Sequence, residues 1–356
     1  MKCIILVGGF GTRLRPLTFA VPKSLVPFCN QPIVEHQIAA AVKAGVKHVI
    51  LAVGWKADDM QSAIDGFKRK YNIEITCSVE TSPLGTAGPI RLAEHIIRTG
   101  GSSDEPFFVF NSDVICEFPL AEMLAYHKKN KAEGTVCVTR VSDPSKYGVV
   151  VNRAGDSGQI DRFVEKPSVF ISDKINAGLY VLNRSVIDRI TPNVFRMIET
   201  DVFPAMAKDG NLFSFTLNGY WADIGQPRDF LQGMKLHLES VCGSKNSTVL
   251  MDSSVVVGED TVIGPNVTIG PNCHIGKGVR ISNACIMAGS NISDYANINE
   301  SIIGWNNKIG KWAKIDNLTV TGDDVAIAEG IYTNGAIVLP NKSVKQPVLV
   351  PGTILM

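Results

Sequence analysis

The sequence of 356 residues lacks several features that mark specialised classes of protein. No stretch approaches the roughly 18–20 apolar residues of a membrane-spanning helix, so we expect no membrane segment. The only apolar run near the start, Cys3 to Val7, is shorter than the apolar region of a secretory signal, and we expect a cytoplasmic protein. The net charge is only +1 and polybasic runs are missing, which excludes the electrostatic footprint of nucleic-acid binding.

Paired cysteine motifs are also missing. The eight cysteines are scattered, with no CxxC pair and no histidines at zinc-finger spacing. The chain is also far longer than disulfide-stapled scaffolds. We therefore expect the cysteines to be small buried hydrophobic residues, without a disulfide framework or a zinc finger.

The length favours two domains, because single domains usually have about 100–200 residues. In residues 1–240, short apolar runs alternate with helical patterns, which predicts an α/β fold: a Rossmann-like, mainly parallel sheet with helices on both faces. The expected strand and helix pairs are CIILV with 35–44, VKHVILAV with 58–70, ITCSVE with 86–98, and FFVFNSDV with 119–130. Ligands of such sheets bind at the carboxyl ends of the strands.

The pattern changes twice further along the chain. Residues from about 140 to 225 are richer in strand patterns, which predicts an appended mixed β portion. A helix over about 227–240 then leads into CGSKNS, a small polar linker. We place the domain boundary there, with domains 1–240 and 241–356.

The second domain carries a six-residue repeat. Glycines 258, 264, 270 and 276 each follow an aliphatic residue, namely Val257, Ile263, Ile269 and Ile275. Hexapeptide repeats of this kind form a parallel β-helix, in which each short strand buries one aliphatic side chain and three strands make a coil. The aliphatic row continues through Ile281 and Met287 and slips by a residue near Ile292 and near Ile303.

Such β-helices also serve as acyltransferase domains, which normally carry a catalytic histidine and longer inserted loops. The repeats here contain one histidine, His274. We favour a structural role, in which the β-helix packs against the first domain or a second subunit, since stacked coils expose an edge that needs covering.

A glycine-rich stretch, GGFGTRLRPLT at residues 8–18, directly follows the first predicted strand. A Walker A loop requires Gly-Lys-Ser/Thr, which is missing. A dinucleotide fingerprint requires a third glycine where Leu14 stands, and the nearest acid, Glu35, lies in a helical pattern. What remains is a loop whose backbone N–H groups, with Arg13, Arg15 and the later Lys23, suit a polyphosphate and a charged leaving group.

This stretch, followed by Pro22-Lys23, resembles the signature of the sugar-1-phosphate nucleotidylyltransferases. Further matching motifs follow in order: ETSPLGTAG at 80–88, NSD at 111–113, PSKYGVV at 144–150, FVEKP at 163–167, NAG at 176–178 and WADIG at 221–225. With the hexapeptide repeats, the resemblance spans nearly the whole chain. It is closest to the mannose-1-phosphate guanylyltransferases of the eukaryotic catalytic (beta) type. It implies the nucleotidyltransferase fold followed by a left-handed parallel β-helix.

The resemblance implies transfer of GMP from GTP to α-D-mannose 1-phosphate by in-line attack on the α-phosphate, without a covalent enzyme intermediate. The products are pyrophosphate and GDP-mannose, which supplies mannosylation and glycoconjugate synthesis. It implies Mg²⁺ as cofactor, held by Asp113 and Asp223.

The resemblance also implies a role for each matching site residue. The catalytic residues are Arg13, Lys23 and Lys166. The nucleotide-binding residues are Leu6, Gly8, Gly9, Gly11, Thr12, Arg13, Lys23, Gly85, Asn111 and Asp113. The sugar-phosphate-binding residues are Gly148, Glu165, Lys166, Asn176 and Asp223. Glycine at position 85 should let the chain approach the base closely.

Three positions depart from the family pattern: Ser24 and Pro27, where PKPLVDF is usual, and Thr200, where IEKE is usual. Two other interpretations stay open. One is a catalytically quiet regulatory subunit that senses a nucleotide sugar, and the other is a relative that uses another triphosphate or another sugar 1-phosphate, such as glucose 1-phosphate. We expect a homo-oligomer assembled through the β-helix, with a homologous regulatory subunit as a further candidate partner.

Overall fold

The computed structural model describes residues 1–9, 11–54, 60–102, 105–155, 158–243 and 248–356. They form two compact units: Met1–Gly9 with Val34–Trp221, and the described part of Phe10–Ile33 with Ala222–Met356. The domain boundary at residue 240 stays a prediction. Phe10 of the glycine-rich stretch, the first two residues of the helix expected over 58–70 and the last four of the expected linker lie outside the described residues.

The helices and strands of the described residues up to Cys242 have the following bounds. The strands are β1 Lys2–Leu6, β2 Pro27–Phe28, β3 Gln31–Pro32, β4 His48–Val53, β5 Glu74–Val79, β6 Phe107–Asn111, β7 Val114–Cys116, β8 Gly134–Arg140, β9 Gly148–Asn152, β10 Ile160–Glu165, β11 Lys174–Leu182, β12 Leu212–Thr216 and β13 Trp221–Asp223. The helices are α1 Leu17–Ala20, α2 Ile33–Lys43, α3 Gln61–Tyr71, α4 Gly88–Leu92, α5 Glu94–Arg98, α6 Leu120–Lys129, α7 Phe203–Lys208 and α8 Pro227–Cys242. None of the helices within the described ranges is long and apolar enough to cross a membrane.

The first unit is built on one sheet, which has nine strands within the described residues. Seven of them follow the order β10-β9-β11-β6-β1-β4-β5, with β8 beside β11 and β12 beside β8. Strands β6, β1, β4 and β5 are parallel, and their register places Ile4 beside Ile50 and Val109. Ile4 and Ile5 are completely buried, because a central parallel strand is covered on both faces. The predicted α/β fold with its parallel sheet is confirmed.

Strands β8 to β12 continue this sheet, so the prediction of an appended β portion is wrong for these strands. Strand β11 pairs antiparallel with β6, and the register places Leu179 beside Phe110. If β6 had no partner on this side, a row of its buried backbone N–H and C=O groups would lack hydrogen bonds. The long apolar strand β11 supplies those hydrogen bonds. The mixed strand directions expected for this region are present.

The helix expected over 86–98 is interrupted. Helix α4 ends at Leu92 and α5 begins at Glu94, because Ala93 has a ψ of 5°, outside the helical range. Ala93 is completely buried in the core of the first unit, so the break is part of the packing and not an exposed kink.

The described residues 248–356 form a parallel β-helix with three sheets, as predicted. The first sheet contains β14 Val249–Met251, β17 Val267–Ile269, β20 Ala284–Ile286, β23 Ile302–Ile303, β26 Val320–Thr321, β29 Ile337–Val338 and β31 Ile354–Leu355. The second contains β15 Val256–Val257, β18 His274–Ile275, β21 Asn291–Ile292, β24 Lys308–Ile309, β27 Ala326–Ile327 and β30 Ser343–Val344. The third contains β16 Val262–Ile263, β19 Arg280–Ser282, β22 Asn297–Asn299, β25 Lys314–Asp316 and β28 Tyr332–Asn334. The left-handed twist stays a prediction.

The repeat follows from the geometry of the coils. A β-carbon on Gly258 would lie 2.6 Å from the backbone of Gly276 in the next coil, so stacking favours glycine there. The buried aliphatic row passes through Ile286 and not through Met287 as expected. The first slip therefore comes between Ile281 and Ile286, where the coil shortens from 18 to 17 residues.

In the second unit, residues 11–33 pack against α8 and the first coils. The ring of Phe28 meets that of Phe230 edge-on at 5.2 Å, and Asn30 Nδ2 donates to the carbonyl of Ile269 at 2.9 Å. All eight cysteines lie in the described residues, and six of them are buried, as expected. Cys77 is half-buried and Cys242 is exposed, so the expectation is wrong for these two.

Candidate active site

The first group of predicted site residues lies at the carboxyl ends of parallel strands in the first unit. Leu6 ends β1, and the register places it beside Asn111 at the end of β6. Gly8 follows β1, and a β-carbon there would lie 3.2 Å from Oε1 of Glu80. Gly9 has a φ of 103°. The structure thus brings four residues of this unit predicted to bind the nucleotide, among them Gly8 and Asn111, to one end of the sheet.

Glu80 is a residue to which the sequence prediction gave no role. It follows β5, and its Oε2 accepts a hydrogen bond of 3.2 Å from the backbone N–H of Leu84. Burial raises the pKa of the Glu80 carboxyl, and the Leu84 hydrogen bond opposes that rise. Its position as the first residue of the ETSPLGTAG motif was the available signal.

The loop with Gly85 is fixed to the segment that precedes Ile198. The N–H of Arg196 donates to the carbonyl of Leu84, and the N–H of Ala87 donates to the carbonyl of Arg196, both at 3.0 Å. Gly85 has a φ of 79°, and a β-carbon there would overlap the Arg196 carbonyl. Contacts within the protein therefore favour glycine at position 85, in addition to the close approach to the base that we expected.

Asp113 lies on the turn between β6 and β7. The preceding residue, Ser112, is buried, whereas Asp113 is half-buried. The turn follows the carboxyl end of β6, the position predicted from the sequence. A carboxylate at this edge of a parallel sheet suits a ligand bound there.

Gly148, Glu165 and Lys166 come together on the antiparallel pair β9 and β10. Glu165 is the register partner of Gly148, and a β-carbon on Gly148 would lie 2.7 Å from Glu165 Oε2. Lys166 has a φ of 44°, and its Nζ lies 3.3 Å from Glu165 Oε1. The ammonium group is mostly exposed, so it is accessible to an anionic ligand.

Asn176 is bonded within β11. Its Nδ2 donates to the Tyr180 hydroxyl at 2.8 Å, and its Oδ1 accepts from the N–H of Gly178 at 2.9 Å. Burial raises the pKa of Tyr180 well above its ordinary value, and the nearby charge of Glu199 adds to the effect. Asn176 therefore shapes the irregular stretch of β11 next to Gly178.

The second unit holds a separate group of predicted residues. Arg13 lies in the 3₁₀ turn Thr12–Leu14, which follows Gly11, and Lys23 begins the 3₁₀ turn Lys23–Leu25. The position of a β-carbon on Gly225 lies 2.9 Å from Asp223 Oδ1, 3.1 Å from Arg13 Nη2 and 3.3 Å from Lys23 Nζ. The two cations and the carboxylate therefore converge, although more than 200 residues separate Arg13 from Asp223 in the sequence.

The departures from the family pattern have simple structural settings. Ser24 is buried in the turn that starts with Lys23, and Pro27 lies in β2, which pairs with β3. Thr200 is exposed in the π-helical turn Ile198–Val202, where its hydroxyl donates to Asp201 at 3.4 Å. Arg13, Lys23 and Asp223 converge in this chain, which carries all three departures.

The donor set bears on magnesium. Within the described ranges, no group of three or more His, Cys, Asp or Glu side chains is arranged so that it could hold a metal ion. Mg²⁺ is usually bound through one or two carboxylates together with substrate phosphates and water. Asp113 and Asp223 each offer carboxylate oxygens of the kind that Mg²⁺ prefers, so both fit that mode of binding.

Comparison with known proteins agrees with this arrangement. The family model described as nucleotidyl transferase matches residues 2–240, and the model described as GMPPB C-terminal domain matches residues 245–354. Mannose-1-phosphate guanyltransferases of Gibberella zeae and Schizosaccharomyces pombe are each 50% identical to this chain, over 100% of both chains. The mannose-1-phosphate guanylyltransferase catalytic subunit beta of Xenopus tropicalis is also 50% identical, over 100% of both chains.

A solved structure shares the fold of part of the chain. It is a putative glucose-1-phosphate thymidylyltransferase of Bacillus anthracis, 23% identical, with a TM-score of 0.59 over 65% of this chain and 93% of that one. This likeness concerns the fold alone. The match to the family model and the full-length relatives show more: the chain belongs to the nucleotidyl transferase family and is similar along its whole length to mannose-1-phosphate guanyltransferases.

Proposed function

We propose that the chain transfers GMP from GTP to α-D-mannose 1-phosphate and releases pyrophosphate and GDP-mannose. The convergence of Arg13, Lys23 and Asp223 carries the proposal, because two cations beside a carboxylate suit a triphosphate that arrives with a divalent ion. The full-length relatives named for this reaction support the same conclusion. The nucleotidyl transfer requires positioning of the two substrates and neutralisation of charge, and it requires no nucleophilic side chain.

Arg13 and Lys23 act on the triphosphate. The guanidinium of Arg13 donates two parallel hydrogen bonds to phosphate oxygens, and Lys23 supplies a compact charge near the α-phosphate. Both cations neutralise charge that moves to the pyrophosphate as it leaves. Backbone and side-chain groups of Leu6, Gly8, Gly9, Gly11, Thr12, Gly85, Asn111 and Asp113 complete the proposed nucleotide-binding set.

Asp113 and Asp223 are the residues that would hold Mg²⁺. When bound, the ion neutralises phosphate charge and polarises the phosphorus that is attacked. The N–H of Gly225 donates to Asp223 Oδ1 at 3.0 Å, which orients that carboxylate. We propose that Asp113 would also contribute to nucleotide binding and that Asp223 would also contribute to binding of the sugar phosphate.

Lys166 neutralises the phosphate of the sugar substrate. Its pairing with Glu165 at 3.3 Å holds the ammonium near β9 and β10, and its exposure leaves it open to a ligand. Glu165 and the backbone of Gly148 bind sugar hydroxyls. The amide of Asn176 keeps one further N–H beyond its bond to Tyr180, and we propose that this N–H serves the sugar as well.

We propose Glu80 as the group that reads the base. An ionised carboxylate accepts hydrogen bonds from the two neighbouring donors of guanine, N1–H and the 2-amino group. Adenine lacks the N1–H donor, so it leaves Glu80 incompletely paired in a partly buried place, and an unpaired buried group is costly. This role deepens the proposal for Gly85, which lies five residues further along the same motif.

The direct test measures pyrophosphate release. Purified protein with Mg²⁺ is incubated with mannose 1-phosphate or glucose 1-phosphate and with each of the four common ribonucleoside triphosphates. We expect the fastest release with GTP and mannose 1-phosphate. Faster release with another pair would change the substrates only, and release with none would favour a nucleotide-sugar-sensing regulatory subunit.

We also propose a homo-oligomer through the β-helix. The strands of its first coil, β14, β15 and β16, each pair on one side only within the described residues, and Met251, Val256 and Val262 are exposed there. An apolar edge of this kind suits a second copy or a homologous regulatory subunit. We place the protein in the cytoplasm.

Light scattering with and without GDP-mannose tests the assembly. The double variant Val256→Lys/Val262→Lys should lower the molar mass of the assembly, because lysine charges on this edge oppose the binding of a second copy. Ala326→Lys, on the same sheet as Val256 but far from the first coil, is the control and should keep the molar mass of the wild type. An unchanged mass in the double variant would contradict this interface.

A further inference from the structure

Gln37 is a completely buried polar residue on α2, within the segment IVEHQIAAAVK. Its Nε2 donates to the carbonyl oxygen of Asn111 at 2.8 Å and to that of Val114 at 3.1 Å. These carbonyls stand at the two ends of the turn between β6 and β7. Asp113 lies on that turn, so one amide group bridges the backbone on both sides of it.

The acceptor oxygen of the same amide does not explain why a polar residue lies in the core. Gln37 Oε1 is buried and lacks a hydrogen-bond partner among the described residues. An unpaired buried carbonyl is costly, and an apolar side chain of similar size would avoid that cost. Packing therefore does not explain an amide here, whereas the two bonds donated by Nε2 do.

We propose that Gln37 is a positioning residue that holds Asp113 in the geometry needed to bind the metal ion. The inference rests on the proposed role of Asp113. Gln37 acts through the backbone: its two hydrogen bonds fix the distance between the carbonyls of Asn111 and Val114, and this sets the direction in which the Asp113 carboxylate leaves the turn. Carboxylate ligands bind a small ion such as Mg²⁺ only in a narrow geometry, so a loosened turn weakens binding.

The experiment measures binding of Mn²⁺, a paramagnetic substitute for Mg²⁺, by the signal of the free ion in electron paramagnetic resonance. The full chain is saturated with GTP whose α–β bridge is a methylene group, so turnover does not occur. Gln37→Met removes both donors at nearly constant volume. Gln61→Met is the control, because Gln61 is an exposed glutamine at the start of α3 whose Nε2 donates to nearby Asp65 Oδ1 at 2.9 Å.

We expect Gln37→Met to raise the Kd of Mn²⁺ about tenfold and to lower kcat while the KM for mannose 1-phosphate stays constant. Gln61→Met should match the wild type. Asp113→Asn, measured in parallel, separates the two proposals. If Asp113→Asn weakens Mn²⁺ binding and Gln37→Met does not, the positioning role is overturned; if neither does, the metal role of Asp113 fails first.

Gln37→Glu covers the case in which Gln37→Met does not fold. The glutamate keeps the size of the side chain, but its carboxylate faces the two carbonyls without a donor. At pH 8 its Kd for Mn²⁺, relative to the wild type at the same pH, should be raised. At pH 5.5 this ratio should fall toward one, because the protonated acid regains one donor; a ratio that stays at one at both pH values would overturn the proposal.

Discussion

The hydroxyl of Thr86 donates a hydrogen bond of 2.5 Å to Oε2 of Glu199 and accepts one of 2.8 Å from the N–H of Ile198. Thr86 directly follows Gly85, and Glu199 lies in the π-helical turn Ile198–Val202. One side chain therefore joins the loop proposed to bind the base to a segment 112 residues away. The loop keeps its shape through this contact and through its bonds to Arg196.

Thr86→Val should loosen that loop. The valine has a similar shape but leaves the Glu199 carboxylate and the Ile198 N–H without their partner, which costs about 1–3 kcal/mol. We expect the KM for GTP to rise about tenfold, with a smaller change for mannose 1-phosphate. Thr99→Val is the control, since Thr99 also makes a 2.5 Å bond but at an exposed position after α5. Equal KM values for GTP in Thr86→Val and wild type would contradict the coupling.

Glu199 should make stability depend on pH. Burial raises the pKa of its carboxyl, so the folded chain keeps the proton at pH values where the unfolded chain has lost it. Its contribution is therefore largest below the ordinary value of 4.5 and is lost as the pH rises through the raised pKa. Compared with Glu199→Gln, the wild type should lose melting temperature over that window. A difference that stays constant from pH 4.5 to 8 would show that the carboxyl does not titrate as inferred.

Gly85→Ala should destabilise the first unit by two separate effects. The φ of 79° costs an alanine about 1–2 kcal/mol, and overlap of the new β-carbon with the Arg196 carbonyl adds about 1–3 kcal/mol. Gly45→Ala is a matched control, because Gly45 has a φ of 85° with open space around the β-carbon position. Urea unfolding should show a larger loss for Gly85→Ala, and equal losses would mean that the loop moves away without cost.

Glu80→Gln should weaken the preference for guanine. The amide offers one acceptor, so the 2-amino group of the base loses a charge-assisted hydrogen bond of about 1.5–3 kcal/mol. The ratio of kcat/KM for GTP over ITP, which lacks that amino group, should fall about tenfold. Glu74→Gln changes a glutamate at the opposite end of β5 and should keep the ratio. An unchanged ratio in Glu80→Gln would remove Glu80 from base recognition.

Lys23→Met should lower kcat by about 10²–10³, the usual effect of removing one preorganised charge from a transition state. The fold should survive, because the methionine keeps most of the apolar stem. Lys235→Met, exposed on α8 of the same unit, is the control and should retain the activity of the wild type. Steady-state pyrophosphate release measures both, and a Lys23→Met variant with normal kcat would refute the assignment.

Local sequence patterns determined much of the fold. Apolar runs such as CIILV predicted the strands of the parallel sheet, and the Val or Ile before each repeating glycine predicted the β-helix, because both patterns reflect burial of nearby residues. The break at Ala93 and the shift of the aliphatic row to Ile286 were not predicted, since packing with distant residues decides them. The pairing of β11 with β6 was also missed, because strand order depends on contacts between distant segments.

The same distinction between local pattern and tertiary contact applies to the candidate site. The sequence by itself determined the residue types and their order, from Arg13 and Lys23 to Asp223, because the chemistry of phosphate and metal binding restricts which side chains can serve. Only the tertiary structure decided which of them meet: Arg13, Lys23 and Asp223 converge at Gly225, and Gln37 and Glu199 acquire partners more than 70 residues away. Hydrogen bonds and burial depend on distances between residues in the folded chain, and the order of residues along the sequence does not give those distances.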